Sequence, residues 1–240
     1  MRLVPRLLWL FGLWAFPILA CNDLYTPPET APLELLIKRN ASAPLEGVEV
    51  CEGDSGDNCA LSDADGLVAL DVPVDQEIFY TLKKEGYDSI LFADVIPEAG
   101  LSTHFVMNGF ENEVVADLYA DVMSPYPRLG TGEIFMEVRP LDFPGATFEL
   151  VDATGKAYYQ EGRSASGDLA WRLDLTETTS VGAGGFVEVT PGTFYVKLGG
   201  TATGDCVPFW GWPSDVEKSV RVPVREGGVS YVQVICPPPP

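Results

Sequence analysis

From Leu33 onward the chain is a succession of short apolar segments separated by turn residues. The first is Leu33-Glu34-Leu35-Leu36-Ile37-Lys38. Gly47-Val48-Glu49-Val50-Cys51 alternates apolar and polar positions, and Asp63-Ala64-Asp65-Gly66 supplies turn chemistry before Leu67-Val68-Ala69-Leu70-Asp71-Val72. Residues 77–82 are rich in β-branched and aromatic side chains, Gly86-Tyr87 marks a turn, and strands at 89–95 and 102–107 follow. Residues 111–123 change period: Val114, Val115, Leu118, Tyr119 and Val122 recur at helical spacing. Asn112 is the expected N-cap, Ser124-Pro125 the stop, and the apolar stripe is expected to face a core rather than a partner. Strands resume at 133–139, 146–151, 185–189, 193–198, 219–224 and 229–236, with Gly227-Gly228 read as a hairpin turn between the last two. Residues 159–180 are polar and weakly patterned, and are expected to form a loop with one short strand near 169–173. Short strands at roughly 8–12-residue spacing imply an all-β sandwich architecture.

The two halves repeat one another. Asp65-Gly66-Leu67-Val68-Ala69-Leu70-Asp71-Val72-Pro73 followed by Phe79-Tyr80-Thr81-Leu82 matches Gly184-Gly185-Phe186-Val187-Glu188-Val189-Thr190-Pro191 followed by Phe194-Tyr195-Val196-Lys197-Leu198. Upstream, Leu45-Glu46-Gly47-Val48-Glu49-Val50 matches Phe143-Pro144-Gly145-Ala146-Thr147-Phe148. Each half is a strand, a Gly turn, a strand ending in Pro, and an aromatic strand. This pattern resembles the carboxypeptidase regulatory-like domain, a small transthyretin-like β-sandwich frequent in bacterial surface proteins. The resemblance covers residues 33–109 and, more loosely, 131–236, where an insertion after Tyr159 and a Trp-rich stretch at 209–213 depart from it. It implies two tandem transthyretin-like antiparallel β-sandwiches joined by a short helical connector at 110–130, and a structural or binding module rather than an enzyme.

The N-terminus carries Arg2 and Arg6, then an apolar run over 7–20 that is shorter than the roughly 20 residues of a spanning helix. Ile18-Leu19-Ala20-Cys21 resembles a bacterial lipobox, although Leu19 is larger than the residue usual there. That resemblance makes residues 1–20 a lipoprotein signal peptide and Cys21 the lipid-modified residue; ordinary secretion is the alternative. A multiply acylated cysteine anchors stably to a membrane. Asn22 rather than Asp after it favours the outer membrane, and residues 21–32, with three prolines, read as a tether. Residues 237–240 form a Pro tail.

Five cysteines are present, and setting Cys21 aside leaves Cys51, Cys59, Cys206 and Cys236 for two bridges in an oxidising compartment. Three pairings are possible. The turn-rich loop between Cys51 and Cys59, and the bracketing of the C-terminal segment by Cys206 and Cys236, favour 51–59 with 206–236. A four-cysteine zinc site is the competing reading, but no Cys-x-x-Cys pair exists. Hydrophobic residues at 46% permit a core, and 24 Gly with 20 Pro favour many short elements. The formal net charge of −20 argues against nucleic acid as a partner.

Candidate chemistry is sparse. The one histidine, His104, falls in a strand with no Gly-x-Ser-x-Gly elbow, so no catalytic residue is expected. No phosphate-cradling motif and no cofactor are indicated. Asp54, Asp57, Asp63 and Asp65 cluster in turns and are weak calcium candidates, without EF-hand spacing. Trp171, Trp210 and Trp212 are candidates for stacking on a sugar if exposed; otherwise the Trp pair is expected to plug the open end of the second sandwich beside a disulfide. The expected partners are a membrane, through the N-terminal lipid, and other envelope proteins or, alternatively, glycans.

Overall fold

A computed structural model describes residues 29–140, 143–161, 170–202 and 206–237. The expectations for residues 1–28, Cys21 among them, lie outside the described residues, as does most of the Pro tail. Among the described residues, no helix is long and apolar enough to cross a membrane.

The first half contains β1 (Thr30–Lys38), β2 (Glu49–Glu52), β3 (Cys59–Leu61), β4 (Leu67–Pro73), β5 (Glu77–Lys83), β6 (Ser89–Val95) and β7 (Leu101–Val106). The helix α1 (Asn112–Asp121) follows. The second half contains β8 (Gly132–Arg139), β9 (Ala146–Val151), β10 (Lys156–Glu161), β11 (Ala170–Arg172), β12 (Ala183–Val189), β13 (Gly192–Gly200), β14 (Val207–Trp210), β15 (Ser219–Val224) and β16 (Gly228–Ile235). The period-2 segments became strands because alternate residues bury: along β4, Val68, Leu70 and Val72 face inward while Leu67, Ala69 and Asp71 face water.

These strands make two three-stranded sheets, β4-β1-β7 and β15-β13-β9, and one ten-stranded sheet of order β11-β10-β12-β8-β16-β6-β5-β2-β3 with β14 also on β16. One pairing scheme occurs twice. In the first half β1 is antiparallel to β4 and parallel to β7, while β5 is antiparallel to β2 and β6. In the second half β8 is antiparallel to β12 and parallel to β16, while β13 is antiparallel to β9 and β15. The sequence repeat therefore maps onto topology: β2, β4 and β5 correspond to β9, β12 and β13. The correspondence crosses sheets, because β4 lies in a small sheet and β12 in the large one.

The halves are fused by hydrogen bonds. β16 pairs parallel with β8 over Val229–Ile235 and, on its other edge, with β6 from Gly228↔Ser89 to Ser230↔Leu91. Its side chains then alternate between two cores. Val232 and Val234 join Ile134, Met136 and Val138 of β8 under β15-β13-β9, whereas Tyr231 enters the first core with Tyr80, Phe92 and Phe105. The two small sheets thus cover opposite faces of the large one.

Four details differ from the sequence reading. Thr30–Pro32 belong to β1, not the tether, pairing with Pro73–Asp71 of β4. Proline is tolerated there because the ladder to β7 begins only at Leu33. Gly227-Gly228 do not close a hairpin. β15 and β16 lie in different sheets, since β16 buries nearly every residue and takes a central position between parallel neighbours. β3, β10 and β14 form where no strand was expected; β10 lacks alternation because Tyr158, Tyr159 and Gln160 are all buried. Finally, Glu111 occupies the N-cap and Asn112 is already helical. The α1 stripe is core except for the exposed Val114, with Val115, Leu118, Tyr119 and Val122 packed near Tyr158, Trp171 and Val187.

Both expected disulfides are present, Cys51–Cys59 at a separation of 8 residues and Cys206–Cys236 at 30. Loop-closure entropy makes the longer bridge the stronger staple. Replacing Cys206 and Cys236 by Ser should cost about 3–4 kcal/mol against about 2–3 for Cys51 and Cys59, measured by urea unfolding. Equal losses would show that chain entropy is not what these bridges contribute.

Candidate functional site

A cleft of about 750 Å³ lies beside the junction of the halves. It arises from the alternation of β8. With Ile134, Met136 and Val138 committed to the second core, Glu133, Phe135, Glu137 and Arg139 project from the opposite face. From β16, Tyr231 and Gln233 project the same way. β7 borders the cleft through Thr103–Val106, and α1 through Val115 and Leu118.

One end holds a buried ionic network. Arg128, 3% exposed, donates through Nη2 to Glu133 Oε2 at 2.9 Å and to Asp88 Oδ2, and through Nε to the Tyr119 hydroxyl. Tyr158 donates to Glu133 Oε1 at 2.7 Å, Tyr119 to Oε2 at 2.9 Å, and Tyr126 to Asp88 Oδ1 at 2.9 Å. Burial by itself would lower the Arg128 pKa, but Glu133, Tyr119 and Asp88 outweigh it and raise it further. Burial, then Asp88, pushes Tyr126 up to about 12. Two carboxylates, one guanidinium and three phenols thus satisfy one another. Sequence reading missed this network, because its members lie on α1, β8, β10 and two loops and no local motif links them.

A second group sits mid-floor: Glu137 Oε2 accepts from Arg139 Nη2 at 2.8 Å, the Tyr231 hydroxyl at 2.6 Å and Gln233 Nε2 at 3.1 Å. His104, exposed on β7, lies at the cleft's margin, and no hydrogen bond from its ring is present among the described residues.

Trp171, Trp210 and Trp212 are buried, which removes the sugar-stacking reading from them. Trp171 stacks on Tyr158 with ring centroids 4.1 Å apart. Trp210 packs on Phe92 at 4.8 Å, and Trp212 donates its indole N–H to the Ile78 carbonyl at 2.7 Å. Trp210 and Trp212 therefore grip the first half instead of plugging the second: Gly211 N–H bonds the Ala93 carbonyl, and Trp210 joins the first core. The calcium reading fails for a related reason. Asp54 is paired with Arg225 at 2.9 Å, and Asp63 Oδ1 accepts from the backbone of Asp65 and Leu67. Among the described residues, no three of the acidic, His or Cys side chains come together as a metal site.

The first core has a polar defect at its edge. The Tyr80 hydroxyl, Asp94 Oδ2 and the Trp210 indole N–H are buried without a hydrogen-bond partner among the described residues. Trp210 is near enough to pull the Tyr80 pKa down without being aligned as a bond; burial and Asp94 dominate and raise it. Burial also lifts Asp94 from its ordinary 3.8 to about 6.

No family model matches the chain, and no curated protein matches it. Among solved structures it is similar to the TIE protein of Bacillus anthracis at 15% identity and TM-score 0.29, over 86% of this chain and 33% of that one. It therefore spans only a third of that protein's length. The minor pilin of Streptococcus agalactiae aligns at 13% identity and TM-score 0.25, over 87% of this chain and 97% of that one. The shaft pilin of Lactobacillus rhamnosus GG aligns at 10% identity and TM-score 0.24, over 87% and 98%. Likeness this distant assigns neither a family nor a function.

Arg128→Met should lower stability by about 3–5 kcal/mol in denaturant titration, because it strands two buried carboxylates. A loss under about 1 kcal/mol would mean that water already solvates them. Asp94 gives a pH test. A carboxyl raised in the folded state contributes stability fully present below pH 3.8 and lost as pH rises through about 6. Asp94→Asn should therefore raise the melting temperature at pH 7, by at most about 3 kcal/mol of stability, with little effect at pH 4. An unchanged pH profile would exclude that origin.

Proposed function

We propose that the chain is a non-catalytic structural or protein-binding module of the cell envelope, lipid-anchored through Cys21 at the outer membrane. Its two halves, 33–109 and 131–236, act as tandem transthyretin-like sandwiches bound into one rigid body. The observation that carries this reading is the state of the cleft's ionisable groups. Glu133, Arg128, Asp88 and the phenols are engaged with one another, Glu137 is held by three donors, and His104 is exposed, with no hydrogen bond from its ring to a carboxylate among the described residues. Acid–base catalysis needs a titratable pair turned toward a substrate; the cleft offers carboxylates already held by donors instead. Two disulfides suit an oxidising compartment outside the cytoplasm.

The anchor is tested with a Cys21→Ser chain expressed in a host that processes bacterial lipoproteins. Wild type should fractionate with membranes and carry acyl mass on Cys21, whereas the variant should be released. A variant that stays with the membrane, or an unacylated wild type, would overturn the assignment.

A further inference from the structure

The repeated topology exposes an inequality between the halves. β7 and β16 are equivalent, each the parallel neighbour of its half's first strand. The far edge of β16 is covered, by β6 along its first residues and by antiparallel β14 from Val207↔Ile235 to Trp210↔Gln233. The far edge of β7 pairs with nothing among the described residues. Met107 N–H donates to the Lys38 carbonyl. In a parallel ladder alternate residues bond the same neighbour, so Leu101, Thr103 and Phe105 bond β1, and the peptide groups of Ser102, His104 and Val106 point outward. That edge borders the cleft, which Phe135, Glu137 and Tyr231 also line.

We propose that an extended, cationic segment of a partner protein adds to β7 as a fourth strand of the β4-β1-β7 sheet, lying in the cleft on the face of β8 and β16. This rests on the binding-module reading and names the kind of partner. The edge supplies the backbone half of a ladder, as in strand-addition recognition generally. Both β7 and α1 border the cleft. Alternate side chains of the added strand face two aromatic rings and Glu137, whose Oε1 accepts no hydrogen bond among the described residues. The charge of the occupant follows from its surroundings. The cleft's Asp88, Glu133 and Glu137 outnumber Arg128 and Arg139, and the chain's formal net charge is −20. Such a field attracts a basic segment and repels a second copy of this chain.

The test is amide hydrogen exchange on the full chain in detergent, with a capped octapeptide of alternating lysine and valine as probe and a glutamate–valine peptide as comparator. The lysine peptide should slow exchange at Ser102, His104 and Val106 at least tenfold, and the glutamate peptide should bind at least tenfold more weakly. His104→Pro removes one outward N–H at an edge position that tolerates proline. It should weaken binding at least tenfold while the amides of Thr103 and Phe105 stay protected. Val106→Pro provides the same test should the first variant misfold. Protection elsewhere, or binding by both proline variants equal to that of wild type, overturns the proposal. So does protection of the outward amides before peptide is added, which would mean that a second copy or another segment of the chain already covers the edge. Envelope proteins captured equally by wild type and His104→Pro would sink this edge alone; capture by neither, with the probe still bound at β7, would sink the binding-module reading instead.

Discussion

β16 is bonded along both edges and packed on both faces, and it joins the two cores within one sheet. Its partners Glu133–Arg139 and Ser89–Leu91 lie far upstream, so the strand that completes the structure can take its place only after both halves exist. Closing contacts of such long range is entropically costly and slow. Cys236, the residue after β16, is bridged to Cys206 before β14, and β14 is itself paired to β16. The disulfide therefore fastens the segment on which inter-half cohesion depends.

That arrangement explains where the aromatic residues went. Fusing the large sheet at β6 and β16 leaves the first core open along the seam, and the second half fills it with Trp210 and Tyr231. Phe92, Phe105, Trp210 and Tyr231 then form a continuous set of edge-on and tilted ring contacts with centroids 4.8–5.9 Å apart. Rings that satisfy one another in this way are not available to a sugar. The polar defect at Tyr80, Asp94 and Trp210 belongs to the same seam, where two differently ordered halves meet.

The buried Arg128 network has a related cause. α1 crosses the back of the large sheet, and the sheet's alternation directs Glu133 beneath it. A carboxylate there requires a counter-charge, which Arg128 supplies while also pairing Asp88 at the end of the first half. Buried ion pairs contribute little net stability against an apolar alternative, but they make misplacement costly. Here they hold α1, β8 and the turn before β6 in one register, and so set the width of the cleft.

Much of the secondary structure was legible from the chain alone. β6, β9 and β15 coincide with segments marked by alternation and β-branched content, and α1 with the change of period. The disulfide pairing followed from loop length, and the sequence repeat coincides with a pairing scheme that occurs twice. These are local properties: a period of two states which side chains share a face, and a short loop states which cysteines meet. Partner choice is not local. Nothing in Gly227-Gly228 says that β15 and β16 part into different sheets; β10, with three consecutive buried residues, and β14, four residues long, carry no alternation to read. Trp210 and Trp212 look the same in a row of letters whether they face water or a core, and Arg128 gives no sign of Asp88 forty residues earlier. Only the fusion of two sheets across β16 decided those matters, because it determined which faces of β8 and β16 were covered and which were left as a cleft.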